Sequence, residues 1–203
     1  MGLYRDYVLP HLTNLSMRNS ENLPYRRRVT AAAEGRVLEI GIGSGLNLPF
    51  YPGAVSEIVG LEPSPQLAAM ARRAARDTSL HVSFVEGSAE AIPLDSASID
   101  TVVTTWTLCT IAGADQALRE MRRVLRPGGQ MLFVEHGLSP DRAVRKWQDR
   151  LTPAWKVIGG GCHLNRPIRS LIDQSGFRIT DIETGYAKGP RPVAFMYEGR
   201  ARP

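Results

Sequence analysis

Glu39, Gly41, Gly43 and Gly45 stand at alternate positions in "VLEIGIGSGLNLPFYP", where a short apolar run ends. Glycines so spaced let a strand break into a tight turn and leave bare backbone for a ligand to lie against. The spacing excludes two phosphate motifs. A dinucleotide fingerprint would need glycine at position 46, which is Leu46, and a P-loop would need Gly-Lys-Ser/Thr to follow. An acid inside the turn would also repel a pyrophosphate. Glu62 comes 23 residues after Glu39, about where an acid takes both ribose hydroxyls in a nucleoside-binding α/β fold. Its plain alternative is a turn residue before Pro63. His136, next to Glu135, is the best candidate for a proton acceptor near neutral pH, although a hydrogen-bonded structural histidine would look the same. His163 follows Cys162 in a glycine-rich loop that either closes over a substrate or caps a turn.

These residues need a scaffold, and the chain's patterning describes one. Strand-like segments "RVLEI", "EIVGLEP", "HVSFVEG", "IDTVVTTW" and "GQMLFVEH" alternate with helical ones from residue 36 onward, the signature of a parallel sheet covered on both faces. In "PSPQLAAMARRAARD" Leu67, Met70, Ala71 and Ala74 recur at helical spacing, and Ser64 before Pro65 reads as an N-cap followed by an N1 proline. "DQALREMRRVLRPGG" puts Leu118, Met121 and Leu125 on one stripe, with Pro127-Gly128-Gly129 expected to stop the helix. A further helix is expected over "RPIRSLIDQSG", then strands "FRITDIE" and "PVAFMYEG". The expected fold is α/β, a Rossmann-like doubly wound sheet of seven strands with an antiparallel C-terminal strand. Residues 36–203 would form the main domain and residues 1–35 a helical lid or cap. Tyr4, Tyr7, Leu12, Leu15 and Tyr25 supply the apolar surface either for such a lid or for ordinary packing on a sheet edge.

At 203 residues the chain can bury roughly 70% of its unfolded surface without staples. Cys109 and Cys162 lie far apart and lack CxxC spacing, so neither a disulfide framework nor a metal site is expected. No signal-peptide core or run of roughly 18 apolar residues occurs, which predicts a soluble cytoplasmic protein. The charge of +5 is unevenly placed: Lys plus Arg against Asp plus Glu number 6 and 3 over residues 1–36, 7 and 11 over 37–136, and 12 and 6 over 137–203. Basic ends flank an acidic middle. They are either a solvated surface or a face for an anionic partner such as a phospholipid surface or an acidic substrate. Nucleic acid is not an expected partner, because "YRRRV" at 25–29 is the one dense basic cluster and no aromatic binding motif goes with it.

The acid-and-glycine turn resembles the first motif of the class I S-adenosylmethionine-dependent methyltransferases, and the later segments follow in the same order over about residues 36–136. The resemblance implies S-adenosylmethionine as cofactor. Glu39 would hold its ammonium through the loop formed by Gly41, Gly43, Gly45 and Asn47, and Glu62 with Pro63 would take the ribose. Ser88 stands where the family often has Asp, and Ala89 would offer a backbone amide to the adenine. "SIDTVVTTWTLCTI" resembles the fourth motif and places Thr104, Thr105 and Leu108 near the methionine end. "LREMRRVLRPGGQMLFVEH" is a recognisable family segment. "FYPG", "WTLCTI", "FVEHG", "LTPAWKVIGGGCHLNRPI" and "GPRPVAFMYEGRA" are similar to the methyltransferase-like 7 group, whose members methylate alkyl thiols and associate with lipid membranes; that group's long apolar N-terminal anchor is not expected from these residues. The bacterial phosphatidylethanolamine N-methyltransferases are a neighbouring group. The resemblance therefore implies a methyltransferase for a small or lipophilic acceptor, foremost a thiol, with His136 as candidate base. A phospholipid amine is the alternative acceptor, and a non-catalytic S-adenosylmethionine-binding module is the alternative of another class. Oligomeric state is not written in these motifs.

Overall fold

The computed structural model describes residues 2–203, with the side chain of Arg5 left aside; the first residue of the expected 1–35 segment lies outside the described residues. Seven strands form one sheet in the order β3-β2-β1-β4-β5-β7-β6. They are β1 (Gly35–Ile40), β2 (Val55–Leu61), β3 (Val82–Val85), β4 (Ile99–Thr105), β5 (Leu125–His136), β6 (Arg178–Tyr186) and β7 (Phe195–Arg202). β1 to β5 run parallel, and β7 pairs antiparallel with both β5 and β6. The strand order reverses between β1 and β4. Crossovers leave that point in opposite directions, which opens a crevice beyond the strand ends.

The apolar strands bury both faces of the sheet. On one side Leu38, Val102 and Phe133 pack with Leu118 and Met121 of α4 (Ala114–Val124) and Ile172 of α6 (Ile168–Gln174). On the other, Val37, Ile58, Val103 and Val134 pack with Val29 of α2 (Leu23–Ala31) and Ala71 of α3 (Pro65–Ala74). Neighbours such as Val37 and Leu38 alternate between the two layers, as the period of two in a strand requires. Ser64 caps α3 by accepting from the Leu67 amide at 3.4 Å, as expected from the Ser-Pro start.

Three parts of the fold differ from the sequence reading. Pro127-Gly128-Gly129 does not end a helix: α4 stops at Val124 and β5 begins at Leu125, so the three residues lie within the strand. "PVA" belongs to a helical turn, α7 (Arg191–Ala194), ahead of β7. Arg142–Ile158 forms α5, the longest helix described, which the sequence reading did not mark. Its N-cap, Asp141, accepts from the amides of Ala143 and Val144. Only Val144, Gln148 and Thr152 of α5 are buried, a narrow and partly polar stripe that does not announce itself as a core-facing helix. Among the described residues no helix is long and apolar enough to cross a membrane.

Candidate active site

A cavity of about 500 Å³ opens at the carboxyl ends of β1 and β4, within the size range of small-molecule sites. The glycine turn after β1 forms its floor. Gly41 and Gly43 have φ of +63° and +59°, the left-handed region that costs an L-residue roughly 1 kcal/mol or more. A Cβ on Gly41 would also fall 2.6 Å from Cγ2 of Thr107. That glycine clears space for the β4 loop, so the turn and the loop can close against each other beneath the cavity.

Glu62 ends at the same floor. Its Oε2 accepts from the Gly43 amide at 3.0 Å and its Oε1 from the Ser64 amide at 2.9 Å. Each oxygen keeps a lone pair for a further donor. Burial pushes this carboxyl above its ordinary range, and the two amides partly oppose the effect. Glu39 lies one layer deeper. Asn47 Nδ2 donates to Glu39 Oε1 at 2.7 Å and to Thr105 Oγ1 at 3.1 Å, while the Tyr51 hydroxyl donates to Glu39 Oε2 at 2.9 Å. Desolvation raises the Glu39 pKa to about 7, against its hydrogen bonds from Tyr51 and Asn47 and the charge of Arg26.

Arg26 completes this network, donating to Asn47 Oδ1 at 2.7 Å and to the Met17 carbonyl at 3.2 Å. Its guanidinium lies 4.9 Å from the Trp106 ring centroid, a cation over an aromatic face. The basic cluster at 25–29 is thereby divided: Arg26 is buried on the cavity wall, Arg27 covers Phe50, and Arg28 forms a bidentate pair with Glu198. Trp106 has φ of +50°, a strained conformation for a bulky residue and of the kind that clusters at functional sites. It is held there by its amide donating to the Val134 carbonyl at 2.8 Å, and by the next amide, of Thr107, donating to Glu135 Oε1 at 3.0 Å.

The cavity roof comes from α1 (Leu9–Met17), which presents Leu9, Pro10, Thr13, Asn14 and Met17 to the interior. The Asn14 Oδ1 is buried with no hydrogen-bond partner among the described residues. The apolar residues expected to form this face point elsewhere: Tyr7, Leu12 and Leu15 are exposed, Tyr4 donates to the Ile158 carbonyl at 2.7 Å, and Tyr25 meets Trp106 edge-on.

Seven of the predicted cofactor residues line the cavity: Gly41, Gly43, Glu62, Pro63, Ser88, Ala89 and Thr105. Glu39 and Asn47 support it from behind. Gly45 packs toward Leu48 and Ala74, Thr104 donates to Glu135 Oε1 at 2.8 Å, and Leu108 is fully buried in the core. Ser88 is engaged by Glu90, whose Oε2 accepts its hydroxyl at 2.7 Å while Oε1 accepts the Gly113 amide at 2.6 Å. Glu90, two residues after Ser88, thus brings a carboxylate to the cavity wall. His136 is buried, off the wall, with Nε2 3.1 Å from Cys162 Sγ. His163 is tied to the Cys109 carbonyl and to Arg166 rather than facing the cavity. The cysteines, distant in sequence, are brought together with His136: the two sulfurs and the imidazole nitrogen lie within 4.8 Å of one another. Separation along the chain does not keep the two cysteines apart in space, because the segments after β4 and α5 converge on the end of β5.

The sequence reading missed Arg26, Asn14, Trp106 and Glu90. Arg26 was visible only as part of a charge cluster and Trp106 only as a motif neighbour; Asn14 carries no local signal at all.

These residues fit S-adenosylmethionine. The buried Glu62 carboxylate has free lone pairs for ribose hydroxyls, the unpartnered Asn14 oxygen seeks a donor, and the Arg26 and Glu39 charges match a zwitterionic methionine end. Residues 38–133 match the family described as "Methyltransferase domain". The chain is 34% identical to thiol S-methyltransferase TMT1B of Rattus norvegicus over 74% of its length and 63% of the relative's. It is 32% identical to TMT1B of Homo sapiens over 97% of its length and 82% of the relative's. With the phosphatidylethanolamine N-methyltransferase of Cereibacter sphaeroides it shares 34% identity over 55% of its length and 57% of the relative's. The chain thus spans less than two thirds of the rat and bacterial relatives it matches. A solved S-adenosylmethionine-dependent methyltransferase from Thermotoga maritima, called a possible histamine N-methyltransferase, has the same fold at TM-score 0.66 and 21% identity, covering 98% of this chain and 99% of that one. With the switch-point cavity, the acid-and-glycine turn and these relatives in agreement, the chain belongs to the class I S-adenosylmethionine-dependent methyltransferases.

Proposed function

We propose that the protein transfers a methyl group from S-adenosylmethionine to a small or lipophilic thiol. The observation that carries this reading is the similarity to a relative named a thiol S-methyltransferase, which extends over 97% of the chain and so includes the C-terminal third, outside the shared core. When bound, S-adenosylmethionine supplies a methyl group on a positive sulfur that a nucleophile displaces in line. The protein's own part is binding and orientation, which can account for roughly 7–11 kcal/mol of such a barrier. Glu62 binds the ribose hydroxyls, Glu90 faces the adenine edge, and Arg26 receives the methionine carboxylate. Leu9, Pro10, Trp106 and Ile111 give the cavity an apolar end suited to a neutral acceptor. His136 does not line the cavity, so this reading gives it no proton transfer: the thiol reaches its reactive form by ionising in solvent, and a few per cent is thiolate at pH 7.

The test is transfer of labelled methyl by the purified protein alone to a panel of alkyl and aryl thiols, phenols and phosphatidylethanolamine vesicles. Label on thiols, rising with the thiolate fraction as pH increases, is the expected result. Label confined to vesicle lipid would move the function to phospholipid N-methylation. Tight cofactor binding with no acceptor labelled would leave a binding module.

A second feature supports a lipophilic acceptor. Trp147, Leu151, Trp155 and Ile158 are exposed along one stripe of α5, and the Tyr4 to Ile158 bond brings exposed Leu3 and Tyr7 to the end of that stripe. Lys146 and Arg150 flank it, and α5 carries five basic residues against one acid. We infer that this face rests on an anionic lipid surface, with Trp and basic side chains at the headgroup level.

A further inference from the structure

Behind the cavity wall, three side chains that the methyl-transfer reading does not use converge from separate segments. Cys109 stands in the turn after β4, His136 ends β5, and Cys162 closes the loop after α5. Both cysteines are free, Cys109 buried and Cys162 half-buried. His136 Nε2 approaches Cys162 Sγ to 3.1 Å, and the three donor atoms all fall within 4.8 Å of one another.

We propose that Cys109, His136 and Cys162 bind a thiophilic metal ion, Zn²⁺ foremost. Zinc holds sulfur at about 2.3 Å and imidazole nitrogen at about 2.0–2.1 Å, which at tetrahedral angles separates donors by roughly 3.5–3.8 Å. The present spacing brackets that value, so small shifts complete the shell. The compliant member is the loop carrying Cys162: it follows Gly159, Gly160 and Gly161, of which the last two have φ of +62° and +100°. The donor set excludes hard cations. It contains no carboxylate, whereas Mg²⁺ and Ca²⁺ require oxygen ligands. Two thiolates neutralise a divalent ion, which suits a buried position, and each thiol gives up its proton to solvent on binding. Coordination through Nε2 also fixes the His136 proton on Nδ1, a buried nitrogen that has no partner among the described residues. Three protein ligands leave a fourth position for water or an added ligand.

The site would fasten a part of the cavity. Gly159 and Gly160 lie on the wall, and Gly160 packs so closely on Leu9 of α1 that a Cβ there would meet Leu9 Cδ2 at 2.5 Å. A metal bridging Cys162 to the β4 and β5 ends would therefore hold the loop that supports the roof. This inference does not depend on which acceptor is methylated.

The experiment is metal titration of the full chain, reduced and stripped with chelator, against a chromogenic zinc indicator. One zinc per chain is expected, and Co²⁺ in its place should give tetrahedral visible bands with a thiolate-to-cobalt charge-transfer band. Cys109→Ser and Cys162→Ser should each weaken zinc by at least about tenfold and diminish the charge-transfer band, while calorimetry shows S-adenosylmethionine still bound and hence the fold intact. If either variant fails to fold, the wild-type cobalt spectrum decides alone, since only sulfur ligation produces that band. No stoichiometric zinc in the reduced wild type, or equal affinity in the Cys109→Ser/Cys162→Ser double variant, would overturn the site. So would recovery of the cysteines as a disulfide in protein that takes no zinc after reduction.

Discussion

Glu62 and Glu39 divide the work of two carboxylates at one turn. Glu62 is the one proposed to take the ribose, and its two amide bonds hold its oxygens in place at the cavity floor. A charge-assisted hydrogen bond contributes about 1.5–3 kcal/mol, so Glu62→Ala should weaken S-adenosylmethionine binding roughly 10- to 150-fold by calorimetry. Unchanged affinity would remove Glu62 from the ribose site. Glu39 acts through charge. With its pKa raised from 4.5 to about 7 in the folded protein, the unfolded chain ionises first as pH rises. Stability of the ligand-free protein therefore declines across pH 4.5 to 7, by about 3 kcal/mol from this residue, and stays level above. Glu62 and Glu135 shift in the same direction through burial, so the contribution of Glu39 is isolated by comparing Glu39→Gln, whose denaturant-midpoint profile should be flatter in that window. The cofactor carries net positive charge, which favours ionised Glu39. Affinity should accordingly fall as pH drops through about 7 in the wild type and change less in Glu39→Gln.

At the scale of elements, α1 is the part most clearly built for access. One side of it faces the cavity and the other faces solvent; Leu9 packs on Gly160, the Met17 carbonyl accepts from Arg26, and just ahead of the helix Tyr4 donates to the Ile158 carbonyl. A short helix with Leu12 and Leu15 exposed and only Pro10 buried has little burial to hold it. Removing residues 1–18, which leaves Arg26 and α2 in place, should leave the sheet folded and speed cofactor dissociation by an order of magnitude or more, as stopped-flow measurement would show. Equal dissociation rates would mean that α1 is ordinary packing. From Tyr4, Tyr7, Leu12, Leu15 and Tyr25 the sequence offers either a lid or ordinary packing on a sheet edge; the α1 residues that line the cavity are instead Leu9, Pro10, Thr13, Asn14 and Met17. Apolar residues mark a surface that needs covering, and the pattern alone does not say whether the cover is the protein's own core, a ligand or a lipid.

For the whole molecule, the sheet order places the cavity at one end of the strands and leaves Trp147, Leu151, Trp155 and Ile158 of α5 exposed. If that face seats on lipid, the protein should co-sediment with vesicles rich in anionic phospholipid, and added salt should weaken the association because basic side chains contribute through screened charge. Trp147→Ala with Trp155→Ala should reduce the bound fraction several-fold without changing S-adenosylmethionine affinity, as both residues lie on the exposed side. Binding that ignores lipid charge and both tryptophans would dismiss this face as a docking surface.

Read alone, the chain specified what local patterning encodes. The alternation of strand and helix, the positive-φ glycines after β1, the Ser64 cap and the spacing from Glu39 to Glu62 each depend on a few neighbouring residues, and they sufficed for the fold and for most of the cavity floor. Tertiary structure decided whatever requires distant segments to meet. It buried Arg26 out of a surface-like cluster, set Glu90 behind Ser88, turned Asn14 inward, and joined Cys109, His136 and Cys162. None of these pairings has a period or a spacing, because the distance between two side chains across a sheet is fixed by strand order and crossover connections, not by their separation along the chain.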